Sequence, residues 1–540
     1  MEKIKEIVSN EKLQKIALIV LGACTGLYTL VFFFRNCFST AESKFYNGYF
    51  AVILVAMLAT TGYLLYLFLT NKEWSFTRVY LILAIGWCVT MELVMPPISG
   101  ADEVHHFYSA YHASNIMMGI KDNDIDNQTG DWVQDQSYFL MRAEDFNGLV
   151  QVDVTFPDQY RILADGDWFH TTDDTNVAIN VAPVSSYRYI FSGIGITIAR
   201  MLNWGYSGVL FMGRFMNSLS MIVIGWLCVR LIPVGKTQVI SFALMPTVLE
   251  LCCSYSYDNM SILFSLLLLS LCLYFGCRDG RLKAIDLFFI AVAFAVLIPN
   301  KVVYATFIIW IFAISFKKWW AMLLSKDWKD YALLAAFAAV AVVIVKKLVI
   351  KYYWLTVRSI LWKFEGATIE QDATRESFTA EYIVLHPKET LAFVWDGIKV
   401  DFWYNIKHVI GSELGHVQLN AWIPTALTVI LLILLLAGLF LVRGKRIKKW
   451  QYVVVALGVL VCITSIFIGC LIRFTPVEGS ERVQISYRYL IPAYMALVCA
   501  AGTDAKENRM SLALIYIQNT MLMLVSCNLL FYLFHLRDGL

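Results

Sequence analysis

Apolar segments long enough to cross a membrane recur along this chain, and they limit its fold more than any motif does. A crossing helix needs about 20 apolar residues, and about thirteen candidates are present, from Ile16–Phe34, Phe50–Thr70 and Thr77–Met95 through to Tyr452–Ile472, Tyr489–Ala501 and Leu512–Phe534. In hydrocarbon every backbone polar group must be paired within the protein, so such segments are helices. The expected fold class is an all-α polytopic membrane protein. Hydrophobic residues make up 59% of the 540-residue chain and charged residues only 16%. The net charge of +3 is small and dispersed, which argues against a nucleic-acid partner. Met1 to Lys15 is polar and basic and leads into an apolar run long enough to span, so no cleavable signal peptide is expected. The 12 cysteines lie in or beside apolar spans, without a CxxC in an outer loop, and read as small core residues.

Orientation follows from Lys and Arg in short loops. Lys3, Lys5, Lys12 and Lys15 place the N-terminus inside, as Arg278, Arg281 and Lys283, then Lys317 and Lys318, then Arg443 to Lys449 mark further inner loops. Tyr189 to Leu202 is apolar but short and contains Gly193 and Gly195. If it crossed, every later basic loop would fall outside, so it is expected to lie at the interface, with the C-terminus outside. One face then receives five segments: the loop 96–188, "SYSYDN" at 254–259, "PNKVVY" at 299–304, the loop 351–423, and "ERVQISYRYLIP" at 481–492. Convergence of acidic, basic and tyrosine residues on one face suits a reaction site better than a uniform pore. Within the first loop, Asp102 to Ile120 can form an amphipathic helix through Phe107, Ala110, Tyr111 and Ser114. Beyond Lys121 the loop is strongly acidic, without an EF-hand pattern, and reads as a solvated cap.

"PPISGADEVHHF", "GRFMNSL", "MPTVLELCCSYSYD" and "VQISYRYLIP" occur in that order on the same expected face. Together they resemble a bacterial predicted-membrane-protein family of unknown function grouped with the GT-C glycosyltransferases, over roughly Thr77 to Ala501. The resemblance departs in its two additional spans before Thr77, in Ala-Asp-Glu for the usual Pro-Asp-Glu, and in "QISYRY" for the usual Gln-Gly-Arg-Tyr. It divides the chain into 1–76, two extra helices; 77–502, a GT-C-like catalytic core; and 503–540, a final helix. It implies transfer of a sugar from a polyprenyl-phosphate donor, such as undecaprenyl phosphate, to a cell-surface glycan, with Asp102 and Glu103 in the catalytic centre. The lipid bilayer is the setting of that reaction, and an enzyme that makes the donor is a candidate partner for the extra helices.

On this reading Asp102 is the base for the acceptor hydroxyl. Arg488 and Lys301 offset charge on the leaving phosphate. His105 and His106 either contact the acceptor or, with Asp102, hold a divalent cation, Mg or Mn; adjacent helical residues point about 100° apart, so only one should face the carboxylate. Asp258 either binds sugar hydroxyls and orients Lys301 or caps the helix near Met260. Tyr257, Tyr304, Gln484 and Tyr489 complete the substrate-binding set, and "WYNIKHVIGSELGHVQLNAW", with His408 and His416, is a further candidate for substrate contact. Buried Arg214 needs a carboxylate, for which Glu250 is one choice, while Glu92 reads as structural. A transporter or flippase of a lipid-linked glycan is the alternative; the short basic inner loops offer few ligands for it.

Overall fold

The computed structural model describes residues 11–39, 44–100, 102–120, 123–124, 135–140, 168–169, 176–181, 186–325, 327–333, 335, 378, 380–410, 413–414, 417–418, 422–475, 483, 485–504 and 508–535. Helices α1 (Glu11–Phe32, continued by a π turn to Phe38), α2 (Lys44–Thr70) and α3 (Phe76–Val94) precede α4 (Glu103–Met118). Then come α5 (Ile190–Met201), α6 (Tyr206–Leu231), α7 (Lys236–Ala243), α8 (Pro246–Cys253), α9 (Asp258–Cys277) and α10 (Ala284–Asn300). A 3-10 segment, Val302–Ala313, leads to α11 (Phe316–Leu323). The chain continues with α12 (Ala380–Leu385), α13 (Pro387–Ile410), α14 (Trp422–Leu441), α15 (Lys449–Phe474), α16 (Ile491–Ala501) and α17 (Arg509–His535). Strands β1 (Asn123–Asp124), β2 (Asp135–Leu140) and β3 (Asn176–Val181) form a small antiparallel sheet in the first long loop, in which Asp135 pairs with Val181 and Leu140 with Asn176.

The protein is an all-α, multi-pass membrane protein. Among the described residues seven helices are long and apolar enough to cross (α1, α2, α3, α6, α9, α15 and α17), or eight if the 3-10 segment and α11, bent by 81°, form one broken span. Several of the thirteen apolar runs expected from hydropathy do not form one continuous helix among the described residues. Val239–Cys253 is interrupted at Leu244 and Met245, where Pro246 starts a new helix. The resulting α7 and α8 have eight residues each, about 12 Å, and are buried inside the bundle instead of crossing it. The run Tyr489–Ala501 shortens to the eleven residues of α16 because Tyr487–Tyr489 forms a 3-10 turn. The span expected over Tyr331–Ile350 lies almost wholly outside the described residues.

Helix α5, the segment expected at the interface, has twelve residues and rises only about 18 Å, too short to cross. It packs between α4 and α6. Arg200 fastens it to α4 by donating to Asn115 Oδ1 at 2.7 Å while lying 4.3 Å from the Tyr111 ring centroid. The expected amphipathic helix is α4, whose Phe107, Ala110, Tyr111 and Ser114 are all buried.

The extra helices α1 and α2 pack against α17. Tyr516 of α17 donates to the Leu18 carbonyl (3.1 Å), and Asn519 accepts from the Trp87 indole (2.7 Å) and donates to Thr61 (2.8 Å). At the start of α7, Gly235 has φ +75°, and a Cβ there would lie 2.1 Å from the backbone oxygen of Cys499. Gly235→Ala is expected to destabilise the bundle by about 1–3 kcal/mol through combined strain and overpacking. A lowered melting temperature in detergent checks this; an unchanged one counts against the close approach of α7 and α16.

Candidate functional site

The site begins where α3 stops. Pro96 and Pro97 cannot donate backbone hydrogen bonds, and a residue before proline is driven out of the helical region; Met95 accordingly has φ −100° and ψ 109°. The chain from Met95 to Gly100 stays buried and passes through a left-handed residue, Ile98 (φ 70°), and the exposed Asp102 that follows it is left-handed too (φ 57°). Such backbone costs about 1–3 kcal/mol per residue and persists only where neighbours enforce it.

The enforcing groups form a buried clasp. Arg214 of α6 donates through Nη1 to the Met95 carbonyl and through Nε to the Cys253 carbonyl, both at 2.7 Å, so one guanidinium holds the C-terminal ends of α3 and α8. Its carboxylate partners are Glu103 (3.4 Å) and Glu92 (3.7 Å). Glu250, one possible partner read from the sequence, makes no ion pair with Arg214; it lies beside Gly100, where a Cβ would come within 3.2 Å of Glu250 and 3.0 Å of Glu103. Glu103 accepts from the Gly100 amide (2.7 Å) and from the Tyr255 amide (3.0 Å). It ties the Asp102 loop to the 254–257 loop and is only 1% exposed. Asn217, one turn after Arg214, donates to the Ser254 carbonyl at 2.6 Å. Glu103 therefore faces inward, away from Asp102.

Above the clasp lies a second cluster that opens to solvent. Asp102 pairs with Arg488 at 2.5 Å, Arg488 Nε stands 3.5 Å from Asp258, and Asp258 pairs with Lys301 at 2.5 Å. Side-chain exposure is 56% at Asp102, 14% at Arg488, 12% at Lys301 and 2% at Asp258, so the chain of charges runs inward. Helix α9 starts at Asp258 itself, with Tyr257 as its N-cap and no side-chain cap. The Asp258 carboxylate is thus directed to the two cations, not to a helix terminus.

Tyrosines frame these charges. Lys301 Nζ is 3.5 Å from the Tyr489 ring centroid and 5.0 Å from that of Tyr257. Tyr304, fully buried, donates to the Tyr489 carbonyl (3.1 Å) and so supports the turn from behind. His106 is buried, bonded through Nδ1 to the Tyr189 hydroxyl (2.9 Å) and edge-on to Tyr257 (5.2 Å); its Nε2 has no hydrogen-bond partner among the described residues. His105 is exposed beside Tyr108. Gln484, His416 and most of the acidic loop lie outside the described residues, as does the His408 side chain.

Burial by itself would raise the Asp102 carboxyl, but the Arg488 hydrogen bond and charge outweigh it and hold the group below the ordinary carboxylate value. Burial, reinforced by Arg488, pushes His106 down to about 4, so its ring is neutral at pH 7. Lys301, in the bend between α10 and the 3-10 segment, is pushed down to about 8 by burial against the opposing pull of Asp258. Among the described residues no three His, Cys, Asp or Glu side chains are grouped to hold a metal ion. Asp102 is engaged by Arg488 and His106 by Tyr189, while His105 faces solvent, so these three do not assemble the cation site left open by the sequence.

The family described as predicted membrane protein (DUF2142) matches residues 81–497. The chain belongs to this family. No curated protein and no solved structure matches it. The DUF2142 segment includes both clusters and excludes α1, α2 and α17.

Sequence reasoning missed two site residues within the DUF2142 segment, Arg188 and Tyr189. They belong to Ser186–Tyr189, a 3-10 turn that leads directly into α5. The signal was present as a repeated word: "SYRY" occurs at 186–189 and again at 486–489, and the second copy contains the 3-10 turn before α16.

Proposed function

We propose that the protein is an inverting glycosyltransferase, which moves a sugar from a polyprenyl-phosphate donor to a cell-surface glycan at the outer face of the cytoplasmic membrane. The observation that carries this reading is a half-exposed carboxylate, Asp102, bonded to a guanidinium at the mouth of a tyrosine-lined cationic cluster. Asp102 accepts the proton of the acceptor hydroxyl as its oxygen bonds to the anomeric carbon, and the bond from that carbon to the phosphate oxygen breaks with its electron pair going to the phosphate. Arg488 orients Asp102 and, with Lys301, supplies a positive field for the departing phosphate. Tyr257 and Tyr489 offer ring faces to the sugar. Glu103 acts through the clasp as a positioning residue.

Sidedness is supported by α9. Asp258 begins this 20-residue helix, and Arg278, Arg281 and Lys283 follow its other end about 30 Å away. Basic loops favour the cytoplasm, which supports a site on the outer face.

Purified protein in nanodiscs, given a panel of polyprenyl-phosphate monosaccharides and followed by mass spectrometry of sugar loss, tests the proposal. Turnover of one donor supports it; folded protein that neither binds nor consumes any donor removes it and brings lipid-linked glycan transport forward. The pH profile is a further check. Lys301 is charged below about 8 and loses its proton above, so transfer should decline on the alkaline side near that value. Lys301→Arg should move this limb upward, since guanidinium does not deprotonate in that range. An alkaline limb that stays in place in Lys301→Arg would remove Lys301 from the cationic set.

A further inference from the structure

The two "SYRY" turns place equivalent arginines at one cluster with different commitments, Arg188 Cζ 5.5 Å from the Tyr257 ring centroid and Arg488 Cζ 5.8 Å from that of Tyr489. Arg488 is engaged by two carboxylates, Asp102 and Asp258. Arg188 has neither. Its Nε donates to the Pro299 carbonyl at 3.0 Å, and the Tyr187 hydroxyl reaches the same oxygen at 2.6 Å. This carbonyl is near the end of α10, where helix oxygens lack intrahelical partners, and it lies two residues before Lys301. The tether fixes the guanidinium beside the site, with Cζ 5.5 Å from the Tyr257 ring centroid, much as Lys301 Nζ (5.0 Å) and the His106 ring (5.2 Å) are placed. Nη1 and Nη2 of Arg188 make no hydrogen bond among the described residues.

Charge points the same way. Among the described residues the cluster sets Arg188, Lys301 and Arg488 against Asp258 and Asp102 with a neutral His106, one positive charge in excess. Arg188 is the cation of this cluster that has, among the described residues, no carboxylate partner. A phosphodiester carries one negative charge and presents two oxygens to a planar fork.

We propose that Arg188 is a phosphate-binding arm of this site, gripping the phosphate of a lipid-phosphate ligand through Nη1 and Nη2 while its Nε stays on Pro299. Arg488 then keeps Asp102 in place, and Arg188, with Lys301 beside it, makes the direct contact with the ligand. The identity of the anion as a lipid phosphate rests on the glycosyltransferase reading; the open fork does not.

The test is binding of a sugar-free polyprenyl monophosphate to the full chain in nanodiscs, measured for wild type, Arg188→Gln, Arg188→Lys and Tyr187→Phe, with melting temperatures recorded for each. Arg188→Gln is expected to weaken binding about tenfold or more, as loss of a charge-assisted bidentate contact does. Arg188→Lys should not restore it, because an ammonium cannot hold the carbonyl and present a fork together. Tyr187→Phe removes a bond to the same carbonyl without altering the fork and should bind as wild type does. Wild-type affinity in folded Arg188→Gln, or an equal loss in Tyr187→Phe, would reduce Arg188 to a tether and overturn the proposal. If wild type itself does not bind the lipid phosphate, the donor reading falls first and takes the ligand assigned to Arg188 with it; binding that is present but indifferent to Arg188 overturns this inference alone.

Discussion

Asp102→Asn is expected to lower sugar transfer by about 10²–10⁴-fold, the usual contribution of a general base, with little change in folding. The amide has almost the same shape but cannot take the acceptor's proton. Asp102 is half exposed, and its pairing with Arg488 near the surface adds little to stability, so the melting temperature should stay close to wild type. Donor binding should persist, because the cations and the tyrosines are untouched. The decisive comparison is turnover against donor affinity: loss of turnover alone identifies the base, whereas undiminished turnover in Asp102→Asn would refute the catalytic assignment.

The second large effect is expected at a residue remote from any substrate. Arg214→Met should destabilise the protein by about 3–5 kcal/mol, the range for breaking a buried ion pair and leaving its partners uncompensated. Glu92, Glu103 and Glu250 are all buried near this guanidinium, and its loss also frees the carbonyls of Met95 and Cys253. Arg214→Lys should fail to rescue, since one ammonium cannot reproduce a fork that reaches two helix ends and two carboxylates. Thermal unfolding in detergent measures the effect; a wild-type melting temperature in Arg214→Met would mean that the clasp does not hold the two loops.

Much of this was legible in the chain before its folding was known. Hydropathy read out an all-α membrane bundle, and the convergence of Asp102, Tyr257, Asp258, Lys301, Arg488 and Tyr489 is reproduced in the geometry of the upper cluster. What hydropathy could not distinguish was crossing from burial. The apolar run around Pro246 is as hydrophobic as a span, but α7 and α8 use that hydrophobicity inside the protein. Nor does sequence separate two neighbouring acids. Asp102 and Glu103 look equivalent in "ADEVHH", but the left-handed backbone at Asp102 turns one carboxylate to the surface and leaves the other against Arg214. That Glu103 and Glu92, and not Glu250, pair with Arg214 was unreadable for a similar reason, since the proximity of buried charges is set by loop paths. The repeated "SYRY" was visible but reads as four ordinary interfacial residues until one copy is found against Tyr257 and the other against its neighbour in the cluster, Tyr489.

The packing of α1 and α2 on α17 also bears on what counts as a unit in this protein. The family segment starts inside α3 and ends before α17, so the match covers a piece with neither flank. The Trp87 indole lies within that piece, but it is bonded to Asn519 outside it, which in turn is bonded to Thr61 on the other flank. In hydrocarbon no water is present to substitute for such a partner, and a stranded polar group costs several kcal/mol. An excised 81–497 fragment would therefore present a donor to lipid. The family segment and the hydrogen-bonded bundle have different borders here, and in this chain the flanking helices serve as an interior solvent for the core.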